Sequence, residues 1–279
     1  SALTTPQGTF IDDLLVYCLD LKRYMLVVNA SNIEKDYNWI LKNKNQFMVT
    51  VDNASDRISQ LALQGPKAQE ILQPLTDINL DQLRPFWWQQ GKVAGLDCLV
   101  SRTGYTGEDG FEIYTEEPEP TIIWDAIMEE GKQYGLLPAG LGARDNLRLE
   151  AKMMLYGNDI DETTTVLEAD LKWIIKFNKG DFIGREALIK QQEVGLRRKI
   201  VGFEIIEKGI ARRHYPVFYQ GEKVGEVTSG SYSPFLKKSI GLTYLPIEAT
   251  QIGTEIEIGI REKRVKARVV STPFYKRPK

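Results

Sequence analysis

The sequence predicts a multidomain α+β protein whose C-terminal part is a small all-β barrel. Three observations carry this prediction. Strand and helix signals alternate from Phe10 to Ala151. From Arg197 onward the texture changes to short β-branched runs punctuated by glycine, the pattern of a separate all-β domain. The chain has 279 residues, 42% hydrophobic and 27% charged, enough to bury more than one core. The expected division is 1–193 and 194–279.

In chain order, Phe10 to Leu19 and Tyr24 to Asn29 are apolar or β-branched runs flanking the polar Asp20 to Arg23, which predicts paired strands. Ser31-Asn-Ile-Glu34 has the spacing of a capping box. It opens an expected helix with Ile33, Tyr37, Ile40 and Leu41 on its apolar face, ending near Asn43 to Asn45. Phe47 to Val51 and Ile58 to Leu63 read as strands, and Gly65-Pro66 places a proline at the start of a helix over Lys67 to Leu75. Gly91 to Arg102 reads as a hairpin. A helix from about Glu119 to Tyr134 follows two prolines, and Leu141 to Ala151 forms a short helix with Arg144 and Arg148 one turn apart. The barrel strands are expected at Lys199–Ile206, Tyr215–Tyr219, Lys223–Thr228, Ser239–Tyr244, Glu255–Ile260 and Val265–Val270.

Composition excludes several classes of function. A formal net charge of −2 creates no global basic field, so neither nucleic acid nor an anionic membrane is implied as a partner. No apolar run approaches the ~20 residues of a membrane span, and no targeting segment is visible at Ser1-Ala-Leu-Thr-Thr. A cytoplasmic location, or an organelle matrix such as the mitochondrial one, is expected. Cys18 and Cys98 are isolated and His214 stands alone, so no metal centre and no Ser-His-Asp triad is expected. His214 reads as part of a charged surface loop, and Trp87, Trp88 and Trp173 as core or interdomain packing.

Four features invite chemistry. Gly104 and Gly107 in Ser101-Arg-Thr-Gly-Tyr-Thr-Gly-Glu-Asp-Gly110 have the spacing of a phosphate loop, but Glu108 and Asp109 stand where phosphate needs donors and no G-K-[ST] follows. Glu112 falls on the face opposite Phe111 and Ile113, where it is either solvated or a receptor for a planar group with adjacent N–H donors. Arginine is one such group; the amino-pyrimidinone edge of a pterin or guanine is another. Asp12 and Asp13 interrupt an apolar run. Either one points into a protected space that raises its pKa, or both lie solvated at a bulge. Arg144 and Arg148 either form a solvated helix face, or pair with Asp145 and Glu150, or place one guanidinium at a ligand.

Taken together, Gly8 to Tyr17, Leu26 to Asn32, Leu61 to Ala68, Ser101 to Glu112, Gly140 to Ala151, Leu155-Tyr-Gly-Asn-Asp159, Gly184 to Leu188 and Thr272 to Tyr275 resemble, in order, the motifs of the glycine cleavage T-protein family. The resemblance spans the whole chain. It implies a cloverleaf-like arrangement of domains around a folate channel, tetrahydrofolate as co-substrate, no metal, and the lipoylated H-protein as partner. The implied reaction moves an aminomethyl carbon from the lipoyl arm to tetrahydrofolate, giving 5,10-methylenetetrahydrofolate and ammonia. By motif match, Asp13 is the catalytic aspartate with Asn29 beside it, Glu112 and Arg144 bind the pterin, and Tyr17, Tyr105 and Tyr156 line the channel.

Family members usually begin roughly eighty residues earlier, with a Ser-His-Met-Gly-like motif and a tyrosine near the folate, so the first folate-binding part is expected to be incomplete. Asp170, His214 and Lys237 stand where glycine is expected, and Val166 where proline is expected. The rival readings are a related folate-dependent demethylase and a folate-binding iron–sulfur assembly factor. The second carries a Lys-Gly-Cys-x-x-Gly-like motif, whereas this chain has Lys179-Gly-Asp-Phe-Ile-Gly184.

Overall fold

A computed structural model describes residues 1–44, 47–116 and 118–278. Its contacts divide the chain into two compact units, Ser1–Gln46 with Leu149–Lys276, and Phe47–Arg148 with Arg277–Lys279.

At the start of the first unit, β1 (Ala2–Thr4) pairs antiparallel with β2 (Phe10–Asp13), and β3 (Leu15–Asp20) pairs with β4 (Arg23–Val27). The run expected as one strand from Phe10 to Leu19 is thus two, interrupted at Leu14, and each half belongs to a different two-stranded sheet. The change of partner falls just after Asp12 and Asp13, where carboxylates need side-chain donors that a regular ladder does not supply.

A 3-10 turn at Ala30–Asn32 leads into α1 (Ile33–Asn43). The expected capping box does not form: Ser31 falls inside the 3-10 turn, the N-cap passes to Asn32, and Asn32 makes no capping bond while its Nδ2 donates to Asp12. The helix ends at Asn43; the expected limit at Asn45 lies outside the described residues. Ile33, Tyr37, Ile40 and Leu41 are half-buried, whereas Asp36 is only 1% exposed, so the most buried point of this helix is a carboxyl group.

The second unit is built on a 4-stranded antiparallel sheet. Its elements are β5 (Ser59–Gln64), α2 (Ala68–Leu72), β6 (Trp88–Val93), β7 (Leu96–Ser101), β8 (Gly110–Thr115), α3 (Thr121–Gly131) and α4 (Leu141–Glu150), with sheet order β5-β8-β7-β6. Phe111 and Ile113 of β8 point into a core with Leu72 of α2, Ile123 of α3, Ile78 and Leu80. That leaves the other face of the sheet, including Glu112, for polar groups. Phe47 to Val51 is not a strand. Among the described residues it has no ladder partner, and Phe47, Met48 and Val49 are exposed. Trp87 and Trp173 are also exposed rather than in the core, with Arg84 stacked on Trp87.

The chain then enters α5 (Arg185–Val194), a helix not anticipated from the sequence. Gly184 precedes it at φ +88°, where a Cβ would lie 2.5 Å from the Thr5 carbonyl oxygen, so a glycine is required on two counts. The barrel follows as β9 (Arg198–Ile205), β10 (Pro216–Tyr219), β11 (Glu222–Ser233), β12 (Lys238–Pro246), β13 (Glu255–Ile260) and β14 (Lys263–Val270). It closes in the order β10-β11-β12-β9-β14-β13 around Phe203, Val217, Val227, Ile258 and Ala267.

The barrel's outer residues Ile200, Ile240 and Leu242 share a core with Phe10 of β2, Leu149, Ile160 and Leu188 of α5. Polar contacts reinforce it. Asp159, 1% exposed, accepts from Thr228 Oγ1 at 2.6 Å, and its carbonyl accepts from Tyr244 Oη at 2.8 Å.

Candidate functional site

In the first unit the two aspartates are gathered by asparagines. The Asn29 side-chain amide donates to Asp12 Oδ1 at 2.9 Å, to Asp13 Oδ1 at 3.0 Å and to the Asp13 carbonyl at 3.1 Å. Its backbone N–H donates to Asp12 Oδ2 at 3.0 Å, and Asn32 Nδ2 donates to Asp12 Oδ1 at 2.7 Å. Asp12 is wholly buried, while Asp13 is half-buried at the end of β2. Burial, reinforced by the charge of Asp12, raises the Asp13 carboxyl to about 6, with the Asn29 hydrogen bond opposing the rise. Asp13 is therefore ionised near neutral pH but close to its proton.

Helix α1 contributes more than Asn32. Lys35 Nζ donates to Tyr156 Oη at 2.6 Å, lies 4.1 Å from the centre of that ring, and reaches Glu162 Oε1 at 3.3 Å. Tyr156 is half-buried, whereas Tyr17 on β3 is only 3% exposed.

In the second unit Glu112 sits on the central strand β8, half-buried. Its carboxylate accepts from Gln60 Nε2 at 2.8 Å, from Tyr114 Oη at 3.2 Å and from Thr103 Oγ1. A carboxylate has roughly four acceptor sites, so these three donors orient the group and leave acceptor capacity on Oε1.

The glycine-rich loop before β8 wraps around Gln64. Thr106 Oγ1 donates to Gln64 Oε1 at 3.1 Å, Gln64 Nε2 donates to the Thr103 carbonyl at 3.1 Å, and a Cβ on Gly104 would fall 1.8 Å from Gln64 Oε1. Arg102 braces the loop from behind. It donates to Asp109 through Nε at 2.9 Å and Nη2 at 2.5 Å, and through Nη1 to the carbonyls of Leu80 and Leu83 at 3.0 and 3.1 Å. Burial alone would raise the Asp109 carboxyl, but Arg102 overrides it and holds the group below its ordinary value. The acids that argued against a phosphate loop thus have a structural task in Asp109.

Tyr105, carried by this loop, has the Arg144 guanidinium 4.6 Å from its ring centre. Arg144 is exposed, while Arg148 is 1% exposed and donates to Asp145 at 2.8 and 2.6 Å. Of the two arginines, Arg144 is the exposed one.

Of the expected site residues, Asp13 and Asn29 meet directly, Tyr105 and Arg144 stack, and Glu112 lies in its own hydrogen-bonded cradle. Asp12, one of the two carboxylates the sequence singled out, is the buried one, while the neighbouring Asn32, Lys35, Asp36, Gln60 and Thr103 were not anticipated. The i, i+4 spacing of Asn32 and Asp36 was a usable signal, obscured by the capping-box reading. Among the described residues no group of three or more His, Cys, Asp or Glu is arranged to hold a metal ion, and no helix is long and apolar enough to cross a membrane.

Comparison with known proteins adds to this geometry. Residues 1–179 match the family model described as the GCVT N-terminal domain, and residues 198–276 match that of the glycine cleavage T-protein C-terminal barrel domain. An aminomethyltransferase of Caldanaerobacter subterraneus is 55% identical over 271 residues, covering 97% of this chain and 72% of the relative. One from Thermoanaerobacter sp. is 53% identical, with 97% and 74% covered. Among solved structures, the glycine cleavage system aminomethyltransferase T of Bartonella henselae is similar with a TM-score of 0.90 at 30% identity, covering 99% of this chain and 75% of that one.

Proposed function

Since this chain belongs to the glycine cleavage T-protein family, we propose that it transfers an aminomethyl carbon from the lipoyl arm of H-protein to tetrahydrofolate, releasing ammonia. In this reaction two bonds from the carbon to folate nitrogens replace its bonds to sulfur and to the amine nitrogen. The products are 5,10-methylenetetrahydrofolate, ammonia and dihydrolipoyl H-protein.

The observation that carries the reading is the Asn29-held pair of Asp12 and Asp13. As the amine departs, positive charge develops on the carbon, and a fixed carboxylate beside it stabilises that charge without having to reorganise. Asp13 has the required form, an anion oriented by Asn29 and partly withdrawn from water. Its raised pKa also suits it to hold or pass a proton at the amine.

The pterin is assigned to Glu112, Arg144 and Tyr105. A carboxylate with acceptor capacity matches the adjacent N–H donors of an amino-pyrimidinone edge, and a guanidinium stacked on a phenol forms a flat platform for a ring. Tyr156, fixed by Lys35, and the buried Tyr17 are assigned to the channel wall. The division at 1–193 and 194–279 is retained as the proposed domain boundary.

The test is a pair of variants with two readouts. Asp13→Asn is expected to lower the transfer rate by about 100-fold or more while tetrahydrofolate affinity stays within a few-fold. Glu112→Ala is expected to weaken tetrahydrofolate binding by roughly 10- to 100-fold, the worth of hydrogen bonds to a charged group. Equal losses of rate and affinity in Asp13→Asn would contradict its role, and unchanged affinity in Glu112→Ala would remove the pterin assignment.

A further inference from the structure

Beneath the Asp12–Asn29–Asp13 network lies a carboxyl group to which the reaction assigns no task. Asp36 is 1% exposed, and neither of its oxygens has a hydrogen-bond partner among the described residues. An ionised carboxylate only accepts, so a buried Asp36 anion would be unsatisfied on both oxygens, next to a second anion. It lies one turn along α1 from Asn32, whose amide already reaches Asp12 Oδ1 at 2.7 Å, and Asp12 is the strongest charge acting on it. Asp12 is itself wholly buried and takes three N–H donors, two from Asn29 and one from Asn32, so it is the natural seat of a negative charge.

We propose that Asp36 is a protonated acid that donates its hydrogen to the Asp12 carboxylate, and that this shared proton makes it a positioning residue for Asp13 through Asp12 and Asn29. The charged groups facing Asp36 are Asp12 and Asp13 from β2 and Lys35 on its own helix. Burial first, then the neighbouring Asp12 side chain and its charge, push the Asp36 carboxyl up to about 8, with Lys35 opposing. With the proton in place the pair carries a single charge and Asn29 keeps its three-way grip on Asp12 and Asp13. Without it, two adjacent buried anions repel, and the alignment of Asn29 on Asp13 is lost. This deepens the proposed function, since it rests on Asp13 being the acting carboxylate.

The sign of the pH effect follows from the raised pKa. The unfolded chain releases the Asp36 proton near 3.8 while the folded chain keeps it to about 8, so folded stability falls as pH rises through that window. Asp13 contributes in the same direction only up to about 6, and between there and pH 8 the Ser1 amino group, its pKa lowered by burial, acts with the opposite sign, so the Asp36 contribution is read as the difference between wild type and Asp36→Asn.

The experiment compares the wild-type chain with Asp36→Asn, which keeps shape and a donor but has no titrating proton, and with Asp36→Leu. Thermal melts of the wild type are expected to lose stability from pH 6 to 8 relative to those of Asp36→Asn. Infrared spectra at pH 7 are expected to show a neutral-carboxyl band in the wild type that Asp36→Asn lacks. Neither measurement needs folate, so both judge the Asp36 proton even if the transfer reading fails. In turnover, the wild type is expected to lose rate above about pH 8, Asp36→Asn to keep its rate there, and Asp36→Leu to be at least 10-fold slower at pH 7. Melting curves with the same pH dependence in wild type and Asp36→Asn, or no neutral-carboxyl band, would overturn the protonation. A wild-type alkaline limb retained in Asp36→Asn would overturn the positioning role.

Discussion

Asp13 owes its suitability to where β2 ends. A carboxylate in water has no reason to titrate near 6, but burial and the neighbouring Asp12 charge penalise its ionised form while Asn29 supports it. The balance predicts an acid limb in the turnover profile. The rate is expected to fall as pH drops below about 6, because protonation removes the anion that stabilises the departing amine. Steady-state kinetics from pH 5 to 7.5 check this. The limb should persist in Glu112→Ala, whose substitution lies in the second unit, and should vanish in Asp13→Asn. Asp12 and Asp13 were legible in the sequence as anomalies in an apolar run. Alternation placed them on opposite faces but could not say which carboxylate would be buried, because the answer depends on Asn29 and Asn32 from another segment.

The loop from Ser101 to Gly110 shows what a glycine-rich motif does when it holds no phosphate. Its glycines admit the Gln64 side chain, which bonds back to Thr103 and Thr106, while Arg102 clamps Asp109 from the far side. Gly104→Ala is expected to cost about 1–3 kcal/mol in chemical denaturation, the usual range for overpacking. Shortening the obstacle in Gly104→Ala with Gln64→Ala should leave the pair less destabilised than the sum of the single changes, a coupling that a double-mutant cycle measures. Additive losses would mean that Gln64 is not what excludes a side chain at Gly104. Helix α1 teaches a complementary lesson. Its sequence satisfies a capping box at Ser31 and Glu34, yet a 3-10 turn takes up Ser31 and brings Asn32 to the buried Asp12 carboxylate, which costs most if left without donors.

Across the fold, positions expected to be glycine do adopt the left-handed conformation, at φ 60° for Asp170, 67° for His214 and 55° for Lys237. They are not equivalent. Asp170 binds Lys152 at 2.5 Å and Lys199 of β9 at 2.8 Å, tying the segment after α4 to the barrel. Lys237 sits exposed in the turn between β11 and β12. Lys237→Gly is therefore expected to stabilise the chain by about 0.5–1 kcal/mol, seen as a raised Tm. Asp170→Gly should show no such gain, because relief of backbone strain is offset by two lost ion pairs. A similar rise in Tm for both would show that the ion pairs contribute nothing.

The barrel strands were read within a few residues of their limits, except β11, which runs on to Ser233. The β5–β8 sheet and the helices α1 to α4 were also legible, because alternation, turn residues and helical periodicity are local signals. Helix α5 escaped notice, and the strand expected at Phe47 to Val51 does not exist, because a strand is stable only where another strand satisfies its backbone. The candidate residues Asp13, Asn29, Glu112 and Arg144 could be named from motifs spread along the chain. What folding alone supplied is their surroundings: Asn29 bridging two aspartates, Asp36 buried against Asp12, and Gln60, Thr103 and Tyr114 around Glu112. The physical reason is distance along the chain. Hydrogen bonds that set charge and burial join residues up to 52 positions apart in these networks, and no periodicity in a single segment encodes such a pairing.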